Sequence, residues 1–420
     1  VGTKLKVNDF SSIKQAELEL AQLTILIGPS ASGKSVLSKL IFFFNHILVE
    51  QIAVLEDLKN IEHFKEVIKT NFKDWFPVDA WGGGKFVIDY EAGLFQVKIS
   101  RIEYRKKLGD NIRVWLSPFF EAMFNGALES YKSLPASSQA GDYPFDTTWH
   151  LRRSLTEALK KGLKDDYHEL QTFIPAGRSF FTSVGKSIAA FEHGRVLDPL
   201  IVRFGKFYAN LRERENFRAV SRQQRDAAWS EALDKVMDGK MVAERSREYL
   251  QTPDGRRIPT SAMSSGQQEL MPLILAIRSR STVWERYQQL IFVEEPEAHL
   301  FPSSQSAIIE VFTAMLSLAK TKIRLVLTTH SPYVLAKINN LIKARQVAGS
   351  RRSKRYAEVA NVVAENSWIA SSSVAAYAIN CGVLHSIKGE DGLIDAEYID
   401  EVSGEMANEF SALLGIEVSK

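Results

Sequence analysis

The stretch Gly28-Pro29-Ser30-Ala31-Ser32-Gly33-Lys34-Ser35 has the residue types and the spacing, G-x-x-x-x-G-K-S, that hold a phosphate chain. Such a chain needs close backbone N–H donors, a helix N-terminus and one cation together. Gly28 and Gly33 let the backbone turn around the phosphates, Lys34 is placed to reach the β/γ oxygens, and the Ser35 hydroxyl is placed to bind Mg²⁺. The apolar run Leu23 to Ile27 before the loop and Val36 to Leu40 after it predict strand, loop, helix. The competing reading is a glycine-rich turn that binds nothing.

Three further stretches carry groups suited to phosphoryl chemistry. Leu290 to Val293 is a buried-type strand that ends in Glu294-Glu295-Pro296-Glu297. Hydrolysis needs one acid near Mg²⁺ and a second to position or deprotonate the attacking water. Glu294 takes the first role and Glu295 the second, while Glu297 and His299 read as loop residues. A second apolar strand, Ile323 to Thr329, ends in His330-Ser331-Pro332, where His330 is able to hydrogen-bond a γ-phosphate with help from Thr329 or Ser331. Met263-Ser264-Ser265-Gly266-Gln267-Gln268-Glu269 either opens a helix whose N–H groups face an anion or is an ordinary helix cap. Pro272 predicts a kink or a later helix start there.

The elements that must position these groups are readable from periodicity. Lys4 to Phe10 and Ile13 to Leu20 alternate as the two strands of a hairpin around Ser11-Ser12. Ser35 to Phe72 keeps helical spacing through Ile41, Phe44, Leu48, Ile52 and Leu55. Phe86 to Tyr90, Phe95 to Ile99 and Ile112 to Trp115 predict antiparallel strands, with Gly109-Asp110-Asn111 as the turn before the last. Ser117 to Leu170 reads as mostly helical with a loop near Ser137 to Pro144. Phe173 to Ser179 reads as a strand end broken by Pro175 and Gly177. Asp198 to Met237 predicts a helical segment bearing Arg203, Lys206, Arg212, Arg214, Arg218, Arg222 and Arg225, either a solvated face or a partner surface. Pro253-Asp254-Gly255 marks a hairpin turn.

Composition bounds the rest. A chain of 420 residues with 45% hydrophobic and 25% charged content is an ordinary globular protein. A net charge of +3 does not by itself argue for nucleic acid, so any such claim must rest on local clusters such as Lys343, Arg345, Arg351, Arg352, Lys354 and Arg355. The single cysteine, Cys381, excludes an internal disulfide framework, fits a cytoplasmic setting and reads as a small buried side chain. Leu40 to Val49, the longest apolar stretch near the start, is shorter than a bilayer span, so no membrane partner is expected.

Taken in chain order, these motifs resemble the ABC-type ATPase heads of the SMC and OLD families, over about residues 4 to 335. The resemblance implies an α/β fold: a P-loop ABC-type head with an antiparallel β lobe and a helical insertion. It divides the chain into residues 1–195, an insertion at 196–239, and a C-terminal part at 240–420 with an extension. It implies ATP and Mg²⁺ as ligands and two heads sandwiching two ATP, as a homodimer or higher oligomer. Ser264, Ser265, Gly266 and Gln267 would then form the signature facing the other copy's phosphate loop. Glu-Glu-Pro-Glu followed by Thr-His-Ser-Pro looks closest to the OLD-like branch, and the whole is similar to the ATPase subunits of bacterial anti-phage systems such as Septu and PARIS. That implies a separate nuclease or toxin effector. The alternative is a DNA-repair or chromosome-associated ATPase that binds duplex DNA directly. Glu294 stands where many relatives carry Asp, and Phe301 stands near the D-loop polar position. Arg178 or Gln96 is the candidate for the Q-loop. The segment after Pro332 has no recognisable TOPRIM acid cluster, and long coiled-coil heptads are absent.

Overall fold

The computed structural model describes residues 2–105, 107–133, 144–184, 197–213, 228–244, 247–319 and 322–395. Arg214, Arg218, Arg222 and Arg225 lie outside them, as does most of the loop expected near Ser137. In chain order the strands are β1 (Lys4–Phe10), β2 (Ile13–Glu19), β3 (Leu23–Ile27), β4 (Val87–Ala92), β5 (Phe95–Tyr104), β6 (Lys107–Leu116), β7 (Leu170–Ile174), β8 (Lys240–Glu244), β9 (Arg247–Gln251), β10 (Arg257–Pro259), β11 (Gln289–Glu294), β12 (Ile323–Thr329), β13 (Val374–Asn380) and β14 (Val383–Ser386). Eleven of them make one sheet in the order β6-β5-β4-β1-β2-β14-β13-β3-β12-β11-β7, and β10-β9-β8 make a second.

The strands without polar alternation are buried on both faces, and they are the parallel ones. β13, β3, β12, β11 and β7 run parallel to their neighbours in that series. Along β11, Leu290 and Phe292 enter one core while Ile291 and Val293 enter the other. The first core is roofed by the helices Lys34–Glu56, Ile61–Trp75 and Pro118–Lys132. The second is roofed by Ser265–Ser281, Pro302–Ala319 and Pro332–Ala348. The result is a three-layer α/β/α head continued by an antiparallel lobe, β1-β2 and β4-β5-β6, as expected.

Register sets where the chemistry lies. Ile27 pairs with Thr329 and with Ala378, Glu294 with Thr328, and Val293 with Ile174. The carboxyl ends of four parallel strands are therefore level. Everything that follows them, at 28, 175, 295 and 330, emerges on one edge of the sheet.

Several local expectations change. The helical run after Lys34 is two helices, broken at 57–60, where Asn60 caps the second by accepting from His63 N–H. By length and composition the first, Lys34–Glu56, is apolar enough to cross a membrane. Here Leu40, Ile41, Phe42, Phe43 and Phe44 are all buried inside the first core, which accounts for its character. Gly109 to Asn111 lies inside β6, and the chain turns instead at Arg105, with φ 48°. The helix that begins at Ser265 continues past Pro272 to Ser281, so its start is not delayed. Cys381 is exposed, in the two-residue turn between β13 and β14.

Candidate active site

The loop after β3 is built around backbone that only certain residues adopt. Gly28 has φ 155° and Gly33 φ 110°. Crowding adds a second constraint. A Cβ on Gly28 would lie 2.5 Å from the Ile379 carbonyl oxygen, and one on Gly33 would lie 2.9 Å from Ser12 Oγ. The phosphate loop is thus wedged between the β1–β2 turn and β13, a strand the reading of the motifs left unassigned.

Gly33 is the N-cap of the helix Lys34–Glu56, so the free N–H groups of its first turn face the loop. Lys34 Nζ donates to the carbonyl oxygens of Gly28 and Pro29, both at 2.8 Å. Burial lowers its pKa, and Glu295, Glu297 and Glu294 oppose that shift. Nζ also lies 3.5 Å from His330 Nδ1, and His330 Nε2 lies 3.0 Å from Glu295 Oε1. Since the ammonium can only donate, the arrangement assigns Nδ1 as acceptor and Nε2–H as donor to the carboxylate, which is a neutral imidazole. Lys34, His330 and Glu295 form one hydrogen-bonded line.

The acids are held from below. Glu295 sits at φ 44° and donates its N–H to the Thr328 carbonyl at 3.0 Å. Arg178, fully buried, donates from Nη1 to the Glu294 carbonyl at 2.6 Å and from Nη2 to that of Glu295 at 3.0 Å. Its other contacts are with Glu269 and the Pro175 carbonyl. It is therefore a clamp on the acidic turn and makes no contact with the phosphate loop. Gln96 lies in the antiparallel lobe, where it donates to Asp89. Glu297 is buried and accepts from Thr329 Oγ1 at 2.6 Å and from His330 N–H at 2.7 Å, so it fixes the histidine's backbone. Sequence reasoning missed both of these roles. Glu297 belonged to a visible acidic run, whereas nothing local distinguished Arg178.

Glu294 is paired with the Ser35 hydroxyl, and burial raises its carboxyl above the ordinary range. The Ala176 N–H reaches its Oε2 at 3.4 Å, and Oε1 is buried with no partner. A hydroxyl and an orphaned carboxylate oxygen beside a phosphate loop fit a divalent cation of the Mg²⁺ type.

The expected signature residues lie elsewhere. Ser264 and Gln267 close a capping box on the helix Ser265–Ser281, with Ser264 N–H donating to Gln267 Oε1 at 3.1 Å. Ser265 is exposed, and a Cβ on Gly266 would lie 2.9 Å from the His299 carbonyl oxygen. None of Ser264 to Gln267 has a hydrogen bond to residues 28–35 among the described residues. Phe301, beyond His299, is 74% exposed.

Strand, phosphate loop and helix, flanked by a strand ending in acids and a strand ending in histidine, define a P-loop ATPase head of AAA type. The chain belongs to the family described as "AAA domain, putative AbiEii toxin, Type IV TA system", whose profile matches residues 23–336. No curated protein matches the chain in sequence. Among solved structures it is similar to an SMC head bound to the C-winged helix domain of ScpA, at 14% identity and TM-score 0.41 over 92% of this chain and 98% of that one. It is also similar to the SMC head domain from Thermotoga maritima, at 12% identity and TM-score 0.36 over 92% and 98%. A third is the Smc head with an extended coiled coil, bound to the C-terminal domain of ScpA derived from Pyrococcus furiosus, at 14% and 0.37 over 96% and 98%.

Proposed function

We propose that this chain binds ATP with Mg²⁺ and hydrolyses it, as the cytoplasmic sensor or regulatory subunit of a bacterial defence complex whose nuclease or toxin effector is a separate protein. The observation that carries the hydrolytic part is the Lys34–His330–Glu295 line at the mouth of the phosphate loop. In this reading Gly28 to Ser35 wrap the phosphates with backbone N–H groups, and Lys34 leaves the Gly28 and Pro29 carbonyls to take phosphate oxygens. Ser35 and Glu294 would hold Mg²⁺, which would neutralise phosphate charge when bound. Glu295 orients the attacking water and accepts its proton, and His330 donates to the γ-phosphate. Two copies complete the site, with Ser264, Ser265, Gly266 and Gln267 of one facing the phosphates held by the other. The exposure of Ser265 supports that arrangement. The toxin named in the family description supports a place among toxin-bearing defence systems.

Steady-state ATP turnover of the purified chain beside Glu295→Gln is the test. Turnover is expected to fall by about 10²–10⁴-fold, the usual worth of a general base, while ATP binding persists. Equal turnover in the two proteins would remove Glu295 from the mechanism.

One observation favours the second reading, a DNA-repair or chromosome-associated ATPase that binds duplex DNA directly. Lys343, Arg345, Arg351, Arg352, Lys354 and Arg355 are all exposed around the end of the helix Pro332–Ala348. Among the described residues, the ion pairs within 4 Å made by this set are Arg351 with Glu365 and Lys354 with Glu358. Duplex binding that weakens steeply with salt would select this reading.

A further inference from the structure

Gln171 and Thr172 lie on β7, the edge strand of the large sheet. Both polar atoms of the Gln171 side chain, Oε1 and Nε2, are buried without a hydrogen-bond partner. They border a cavity of about 230 Å³ whose other walls include Thr172, Arg203, Phe204, Phe207 and Arg280. Arg280 donates from Nε to Thr172 Oγ1 at 2.5 Å and lies 4.5 Å from the centre of the Phe207 ring. Arg203 reaches in from the exposed side of its helix, crosses the Phe42 ring at 5.5 Å and meets His46 Nε2 at 3.3 Å. Neither guanidinium forms an ion pair with a carboxylate among the described residues.

This arrangement is costly as it stands. Two like charges share a partly buried cavity, and an amide lacks both its donor and its acceptor partners. Burial together with the Arg203 charge pushes Arg280 down to about 10. Glu50 is an opposing charge felt by Arg203, and its Oε1 lies 3.3 Å from His46 Nε2, the same atom that Arg203 faces. The aromatic walls supply no counter-charge. A tetrahedral oxyanion would answer the two guanidinium charges and the Gln171 Nε2–H donor, because guanidinium and amide N–H groups all donate to it, and a protonated phosphate oxygen would supply the donor that Gln171 Oε1 lacks.

We propose that the β7 cavity is an anion site separate from the phosphate loop, which takes a phosphoryl group through Arg203, Arg280 and Gln171 Nε2. Phe204 and Phe207 form the apolar wall for whatever carries that group. The helix bearing Arg203 begins at Asp198, whose carboxylate pairs with Lys39 of the phosphate-loop helix. The two sites therefore share a structural neighbour but no ligand-facing residue.

The test uses the full chain carrying Lys34→Ala, which removes the cation of the phosphate loop, and inorganic phosphate as probe against chloride at constant ionic strength. Calorimetric titration is expected to show saturable binding. Arg280→Met, and separately Gln171→Leu, are each expected to weaken it about tenfold, in line with the loss of one charge-assisted or buried hydrogen bond. Gln171→Leu keeps the side-chain size and decides the matter should Arg280→Met fail to fold. Absence of saturable binding in the Lys34→Ala chain, or binding untouched by the folded variants, would overturn the site. Neither result depends on whether the chain hydrolyses ATP.

Discussion

Glu294 carries a local cost to stability at the place proposed for the cation. Its carboxylate is nearly enclosed, Oε1 has no partner, and burial holds its pKa above the ordinary value. A group raised in this way resists ionising in the folded chain, so the free protein loses stability as pH rises through that value. Glu294→Gln should therefore raise the stability of the ligand-free chain by about 1 kcal/mol at pH 8, with the gain vanishing at acid pH. The same variant should lose the Mg²⁺-dependent part of ATP-induced stabilisation. Denaturant unfolding at two pH values with and without MgATP reads both effects, and a ligand-free chain no more stable than the parent would contradict the account. The place of Glu294 at the end of an apolar strand was legible from the run before it. The supports around it were not. Glu297 and Arg178 act through the Thr329–His330 backbone and the Glu294 and Glu295 carbonyls, contacts that exist only once separate strands stand side by side.

Strands and helices follow from periodicity where one face is wet, and from unbroken apolar runs where neither is. Hence β1 to β6, β11 and β12 were legible, and so was the β9–β10 hairpin around Gly255. Turns were less so, because a chain with two candidate breaks uses the one its neighbours allow. Gly109 stays in β6, where its carbonyl accepts from Arg101 Nε at 2.8 Å, and Arg105 turns instead. Cys381 was misjudged for a similar reason. The hairpin it turns is recognisable only once β13 has joined β3. The entry to β7 carries a titratable weakness. His168 is 7% exposed beside Arg324, its Nδ1 has no partner, and burial first, then that charge, pushes it down to about 3. The unfolded chain binds this proton near pH 6.5 and the folded chain does not, so the full stability is present above pH 6.5 and falls as pH drops below it. Between pH 7 and 5 the parent is expected to lose about 2 kcal/mol that His168→Gln retains. Parallel losses in parent and variant, measured by urea unfolding, would remove His168 from the acid response.

At the scale of the whole molecule, the separation of the capping-box helix from the phosphate loop carries the prediction. If each site is shared between copies, Lys34→Ala lacks a phosphate cation and Ser265→Arg blocks the face offered to its partner. Each alone should be inactive. Mixed, they form pairs in which one of the two shared sites has both halves intact, so turnover should return to about a quarter of the parent's by simple mixing of equal copies. A mixture as inactive as its components would place all the chemistry within one chain. The doubly covered head was legible as a fold because its motifs follow one another in order.

The position of β3 has a further consequence for how the protein is made. Its neighbours are β12 and β13, so Ile27 waits for Thr329 on one side and Ala378 on the other. A ribosome takes roughly 20–70 s to add the intervening 350 or so residues. The acids at 294 and 295 and His330 follow late in that interval, and the Ile379 carbonyl that crowds Gly28 comes only at its end. Such distant closure makes folding slow. A chain cut before β13 therefore keeps the loop residues but not the strand that crowds Gly28, and should not rebuild the site of the whole chain.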